Sequence, residues 1–179
     1  MDYAIQTIIS ALSLGSFYAL GALGIGLLFS VLRLINFAHG DFITVGAYAL
    51  IVPSSAVTAT LLIGDFHPAL LVLCIVGIVV MLAILSYFVV FQHAQKSSPA
   101  TMMIISFALG YTLQNIIVMI YGGRPKAAGI WSDLTGQVQI SSGVSVQLLQ
   151  LVTIAVTWIL LIALVLFLKR TRVGIQMRA

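Results

Sequence analysis

Charge is what this 179-residue sequence lacks most: eight of its residues are basic and four are acidic, whereas 61% are hydrophobic. A soluble domain has about a quarter of its residues charged, so this chain could not cover a globular surface with polar groups. The mean hydropathy of +1.20 therefore predicts that a lipid bilayer surrounds most of the chain. The basic residues are scattered and form no stripe, so no nucleic-acid partner is expected.

Residues arranged for catalysis or for cofactor binding are also missing. The single cysteine, Cys74, lies inside an apolar run and cannot form an internal disulfide. No metalloprotease, serine hydrolase or Walker pattern occurs. His39, His67 and His93 lie in three different junctions, which argues against a shared metal site. The sequence therefore predicts neither an enzyme nor a cofactor, and any ATP hydrolysis would come from partner subunits.

Five stretches are apolar enough to cross a bilayer as helices, which requires roughly 20 residues each. In lipid every backbone N–H and C=O must be bonded within its own segment, so the predicted fold class is an all-α integral membrane protein. The short polar breaks "GDFHP" and "QKSSP" each end in a proline suited to open the next helix. The predicted spans are about 5–31, 42–63, 69–91, 100–121 and 148–168, with a turn or re-entrant segment at 32–41 and an external loop at 122–147.

The distribution of basic residues predicts the orientation of the chain. With five spans, the N-terminus, Arg124 and Lys126 share one side of the membrane, and six basic residues share the other. Because cytoplasmic loops are richer in Lys and Arg, the N-terminus is expected outside and the C-terminus in the cytoplasm. The six residues on the expected cytoplasmic side are Arg33, Lys96, Lys169, Arg170, Arg172 and Arg178.

Polar residues inside the predicted spans are candidates for a functional site. Pro53 would break the second span, and Ser54 and Ser55 could bond the freed backbone groups. A helix broken in this way either marks a transport pathway or is a simple kink. Gln114 and Asn115 lie within the fourth span, where such residues bond a neighbouring helix or line a pathway.

The stretch "RLINFAHGD" (33–41) places polar residues between two apolar runs. Asp41 would lie in the first turn of the next helix, where the helix dipole favours an acid. The stretch is compatible with an ordinary turn at the cytoplasmic end of the first span. Apolar residues such as Phe37 are equally compatible with a segment tucked into the protein at membrane depth, with Asn36 and His39 facing a cavity or capping a helix. Composition leaves both interpretations open.

The sequence "GSFYALGALGIGLLFSVLRLINFAHGDFITVGAY" resembles the amino-terminal signature of the LIV-type permeases of branched-chain amino acid ABC transporters. The hallmark of that family is Ile-Asn-Phe-Ala-His-Gly, an acid and, soon after, Gly-Ala-Tyr. It is present here at 35–41 and 46–48. The stretches "LQN" (113–115) and "RTRVGIQMRA" (170–179) are similar to the fourth-span and cytoplasmic-loop patterns of the same family.

This resemblance implies a transmembrane permease domain over 1–168 and the start of a cytoplasmic ATPase-docking loop over 169–179, in a multi-pass protein of the cell inner membrane. The implied cargo is a branched-chain amino acid. The implied partners are a second permease subunit, cytoplasmic ATP-binding subunits and a periplasmic solute-binding protein. Family members carry further spans after this loop, so a truncated permease is expected. The candidate ATPase-facing residues are Arg172, Gly174 and Arg178.

Three other functions stay open at the level of the sequence. One is a permease for urea or short amides, because related permeases for those solutes share a similar turn. Another is a passive channel for small neutral solutes, although the Pro-Ala pairs at 68–69 and 99–100 lack the preceding Asn that such channels generally have. The third is a non-transporting scaffold subunit. The hypothetical substrate-pathway residues are Asn36, His39, Ser54, Ser55, Gln114 and Asn115.

Overall fold

A computed structural model describes residues 2–32, 35–54, 57–63, 67–127, 136–141 and 144–171. The described ranges are mainly helical, and their contacts divide the chain into two compact units, 1–33 with 131–179 and 34–130. Four helices within these ranges are long and apolar enough to cross a membrane. The prediction of an all-α, multi-pass membrane protein is therefore confirmed. The helices are α1 (Asp2–Leu32), α2 (His39–Tyr48), α3 (Pro68–Ser86), α4 (Gln92–Ala94), α5 (Pro99–Tyr121) and α6 (Leu148–Arg170).

The helix ends follow the punctuation of the sequence. Pro68 opens α3, where the ring nitrogen Nδ1 of His67 accepts a hydrogen bond of 3.2 Å from the backbone N–H of Ala69. Ser98 caps α5 in the same manner, since its Oγ accepts from the N–H of Thr101 at 3.2 Å. At its far end α5 stops at Gly122, whose φ of +79° is a conformation that side chains with a Cβ rarely adopt. Local chemistry thus fixes where these helices begin and end.

The first unit consists of α1, α6 and a two-stranded antiparallel hairpin, β1 (Gln137–Ser141) and β2 (Val144–Gln147). Helix α1 packs against both α6 and β2, and the Gln6 amide donates to the backbone carbonyl of Ser145 at 3.1 Å. Small hydroxyl side chains are buried in this unit, as is typical where helices approach closely in membranes. These are Ser13, Ser16 and Thr157.

The second unit contains α2, α3, α4 and α5. Between α3 and α4 the chain makes a π-helical segment, Tyr87–Phe91, so that α3, this segment and α4 form one apolar rod from Ala69 to Ala94. A short turn leads from this rod into α5. Helix α2 packs against both α5 and α3. The face of α5 that is buried in this packing carries Ser106, Gly110 and Leu113.

The predicted second span over 42–63 is wrong, and the count of long spanning helices is four where about five were expected. Helix α2 has only ten residues, or about 15 Å, half the thickness of a hydrocarbon core. The chain then folds back on itself: the N–H of Val52 donates to the carbonyl of Thr60 at 2.8 Å, and the N–H of Leu62 to the carbonyl of Leu50 at 2.9 Å. Pro53 explains the failure, because it has no N–H for a helix and disfavours helical backbone before it.

Apolar side chains on the long helices are largely exposed. Leu73 on α3 and Met119 on α5 expose more than 70% of their surface. Such a surface would aggregate in water but is ordinary against lipid tails, which are as apolar as leucine. The buried residues are instead small or polar, and several of them surround the stretch 35–41.

Candidate functional site

The stretch 35–41, called the elbow below, is stabilised first by hydrogen bonds among its own residues. The side-chain Oδ1 of Asn36 accepts from the N–H of Ala38 at 3.1 Å, and the N–H of His39 donates to the carbonyl of Asn36 at 3.3 Å. An Asn side chain that bonds the backbone two residues later is a common turn device. Asn36 therefore shapes the turn that leads into α2, and His39 is the first residue of that helix.

The elbow is packed against α5. The N–H of Phe37 donates to the Oγ of Ser106 at 3.1 Å, and this hydroxyl donates to the carbonyl of Met103 at 2.8 Å. Ala38 is completely buried. A Cβ at Gly110 would lie 3.2 Å from the Cα of Ala38 and would overlap the carboxylate of Asp41. A residue with a Cβ at this position would therefore require the Asp41 side chain to turn away and the backbone of the elbow to shift.

These contacts place the elbow at membrane depth. Ser106 lies seven residues after Pro99, the first residue of α5, and Gly110 lies eleven residues from each end of that helix. At 1.5 Å per residue, Gly110 is roughly 16 Å from either end of a candidate membrane span. Of the two interpretations that composition left open, the geometry supports the segment tucked into the protein. Asp41, expected at a cytoplasmic edge, lies instead beside the middle of α5.

The far end of α2 is held by a tyrosine. The hydroxyl of Tyr121, the last residue of α5, lies 3.2 Å from the carbonyl of Tyr48 and 3.1 Å from that of Ile51. The rings of Tyr48 and Tyr121 also pack, with centroids 4.9 Å apart. The N–H of Ile51 also donates to the carbonyl of Tyr48, at 3.0 Å, so the hydroxyl of Tyr121 is needed mainly by the carbonyl of Ile51, a buried residue. Helix α2 therefore runs from the middle of α5 to its C-terminal end.

The segment after α2 is tied to the chain that follows α5. Backbone hydrogen bonds join Ala59 N–H to the carbonyl of Ala127 at 2.8 Å and Ala127 N–H to the carbonyl of Val57 at 3.0 Å. The ammonium group of Lys126 donates to the backbone carbonyl of Ser54, so Lys126 has a structural contact within the chain. The Oγ of Ser54 is buried without a hydrogen-bond partner in the described structure. The other predicted serine, Ser55, lies outside the described residues.

The predicted pathway residues do not form a single cluster. Asn36 and His39 lie together in the elbow, but Gln114 and Asn115 are exposed on α5, and the Asn115 amide donates to the carbonyl of Tyr111 one turn earlier at 2.7 Å. Ser54 lies near the end of α5, beside Lys126. The pathway role of all these residues stays a prediction. The predicted ATPase-facing residues, Arg172, Gly174 and Arg178, lie outside the described residues.

Two residues of α5 contact the elbow, Ser106 and Gly110, and together they are called its seat below. Sequence reasoning did not identify either of them. Their spacing of four is the small-xxx-small pattern that lets helix backbones approach closely in membranes. The same pattern draws attention to α1, where Gly15 and Gly26 have open space around them in the structure. In the described structure the pattern therefore coincides with close approach on α5 but not at these two glycines of α1.

Removing the hydroxyl of Ser106 tests the seat of the elbow. We expect Ser106→Ala to lower the free energy of unfolding by about 1 kcal/mol, because the N–H of Phe37 loses its acceptor in a part-buried contact. Thr112→Val on the same helix is the control, since Thr112 is exposed and bonds only within its helix; we expect it to change stability by less than about 0.5 kcal/mol. Unfolding in detergent measures both, and equal effects would contradict the contact.

Comparison with known proteins identifies the family to which this chain belongs. Residues 7–179 match the family described as the permease component of branched-chain amino acid transport systems. The permease protein BraD of Pseudomonas aeruginosa is 25% identical over 98% of this chain, and the LivH permease proteins of Salmonella typhimurium and Escherichia coli K12 are 27% and 28% identical over 99%. All three are described as parts of high-affinity branched-chain amino acid transport systems.

The match covers only part of these relatives. The chain spans 58% of the length of each of the three, and no solved structure matches it. The family match nevertheless extends over nearly all of the chain, including the elbow, α2 and α5. This chain, a membrane protein with a polar elbow beside the middle of a spanning helix, therefore belongs to the family of branched-chain amino acid transport permeases.

Proposed function

We propose that this chain is part of a permease subunit of an ATP-driven ABC importer that moves branched-chain amino acids across the cell inner membrane. The observation that carries the proposal is the position of the elbow: irregular backbone and polar side chains lie beside Gly110, the central residue of a membrane-spanning helix. Irregular backbone is tolerated at that depth only where it is buried in protein or lines a water-filled cavity.

The short helix α2 supports the same proposal. Transporters commonly build substrate sites from helices that begin or end near the middle of the bilayer, and α2 begins beside the middle of α5. The described basic side chains of this unit, Lys96, Arg124 and Lys126, lie beyond the ends of α5. The middle of the pathway therefore suits a neutral or zwitterionic cargo rather than a free anion.

The sequence contains no Walker loop, so the energy for transport comes from partner ATPases in this proposal. The further partners are a second permease subunit and a periplasmic solute-binding protein. The expected positive-inside bias puts Lys96 on the cytoplasmic side and Arg124 and Lys126 outside. In this proposal the elbow and α2 together cross the membrane once, so that they and the four long helices make five crossings. The N-terminus is then external, the C-terminus is cytoplasmic, and the segment 49–63 faces the solute-binding protein.

Uptake of radiolabelled leucine into cells tests the proposal. Cells that produce the intact permease with its ATPase should accumulate leucine, and deletion of the ATPase gene should abolish accumulation because no other part drives it. Labelled urea and acetamide, measured in parallel, are the control cargoes. Accumulation of urea or acetamide instead of leucine would show that the cargo is a small amide and not a branched-chain amino acid. Leucine flux that persists without the ATPase would indicate a passive channel. Unchanged leucine uptake after deletion of the permease would indicate a scaffold subunit.

A further inference from the structure

Asp41 is the one charged side chain that the described structure places beside the middle of a spanning helix. It lies in the first turn of α2, is half-buried, and its carboxylate rests against Gly110. An ionisable residue at membrane depth is costly to keep there, and such residues generally mark a substrate or ion pathway. The dipole of α2 favours an acid in this first turn, but it supplies only a fraction of the charge that would balance a carboxylate at this depth.

The cation that balances this carboxylate is not found in the described part of the unit. The Asp41 side chain makes no hydrogen bond or ion pair with the residues that the structure describes. Lys96 precedes α5, and Arg124 and Lys126 follow it. Each of these three basic residues, the Lys and Arg residues that the structure describes in this unit, is therefore separated from Gly110 by at least half the length of α5, roughly 16 Å. A carboxylate in such a setting attracts a cation strongly, because the surroundings screen the charge poorly.

The residues near Asp41 along the chain indicate which cation fits. Phe37 and Ile43, four residues before and two residues after Asp41, expose 49% and 54% of their surface. A branched-chain amino acid carries an ammonium group next to an aliphatic side chain, and that combination matches a carboxylate on a short stretch of chain that also presents exposed apolar side chains. We propose that the Asp41 carboxylate is the transient counter-ion of the α-ammonium group of the cargo. This inference rests on the proposed function.

Charge-removing substitution tests the inference in the complete transporter. We expect Asp41→Asn to lower the rate of leucine uptake by about tenfold or more, because the ammonium group loses a charged partner at a poorly solvated site. Asp41→Glu retains the charge and should keep most of the rate. The matched control is Thr44→Val, one turn later on α2, where the hydroxyl is exposed and bonds only the carbonyl of Gly40; it should transport at the wild-type rate.

A binding measurement separates cargo recognition from a structural role. Leucine should raise the thermal unfolding midpoint of the purified wild-type complex and fail to do so for Asp41→Asn. Isoamylamine, which has the ammonium group and the branched chain, should behave like leucine. 4-Methylpentanoate, which lacks the ammonium group, should stabilise neither protein.

Two results would overturn the inference. Wild-type uptake by Asp41→Asn would show that the charge is not used. Loss of subunit assembly in Asp41→Asn, with leucine stabilisation unchanged in the complex that remains, would assign the missing cation to a basic side chain of a partner subunit. Both results leave the transporter proposal intact. Absence of leucine uptake in the wild type would contradict the proposed function itself, and the inference with it.

Discussion

Gly110→Val is expected to abolish transport and to have the largest effect on stability of the substitutions considered for α5. The added side chain would overlap the carboxylate of Asp41 and press on the Cα of Ala38. A flexible side chain could swing away, but the backbone of Ala38 can move only if the whole elbow moves. We expect a loss of about 3 kcal/mol, the upper end of the usual cost of overpacking a core.

Gly77→Val is the matched control for this experiment. Gly77 lies on α3, also a membrane-spanning helix, and a Cβ there would meet nothing within 4 Å. Thermal unfolding in detergent and leucine uptake should both be close to wild type for this control, because valine there only replaces a glycine within a helix. If Gly110→Val were as stable and as active as Gly77→Val, the elbow could not be seated on α5.

Tyr121→Phe is expected to have the second largest effect, by releasing the end of α2 and the segment 49–63. The lost hydroxyl bonds the carbonyls of Tyr48 and Ile51. The carbonyl of Tyr48 keeps the N–H of Ile51 as a donor, whereas the carbonyl of Ile51 loses its donor. A buried carbonyl left without a donor costs about 1–3 kcal/mol, so we expect a loss of about 1.5 kcal/mol, with the rings still packed. Amide hydrogen exchange should become about tenfold faster at 50–62, since this segment then opens locally more easily.

The control for the tyrosine is Tyr111→Phe, which removes a hydroxyl from the exposed face of the same helix. Tyr111 exposes 62% of its surface, so its loss should leave exchange at 50–62 unchanged. Hydrogen exchange followed by mass spectrometry compares the two variants directly. Equal protection of this segment in Tyr121→Phe and the wild type would mean that backbone bonds to Ala127 suffice to hold it.

The long helices could be predicted from the sequence because they depend on a local property. A run of about 20 apolar residues is helical in lipid whatever its neighbours are. The same averaging of hydropathy failed over 42–63, which is apolar enough as a whole to resemble a span although Pro53 interrupts it. A single proline outweighed the composition of the whole segment, since it determines where backbone hydrogen bonds can form.

The candidate site was predicted only in part. The polar composition of the elbow marked Asn36 and His39, and the structure brings them to membrane depth beside α5. The seat of the elbow could not be predicted, because Ser106 lies 69 residues from Phe37 and no local pattern pairs these two positions. Gln114 and Asn115 were chosen for polarity inside a span, yet polarity does not specify which side of a helix faces the rest of the unit.

The distance along the chain between the elbow and its seat has a consequence for biosynthesis. Residues are added at roughly 5–20 per second, so the hydroxyl that accepts from Phe37 N–H is made several seconds after Phe37 itself. During that interval the nascent elbow has no partner on α5, and lipid offers none for its open backbone. The polypeptide must therefore keep this stretch in the insertion machinery or at the headgroup boundary until the helix that receives it has been translated.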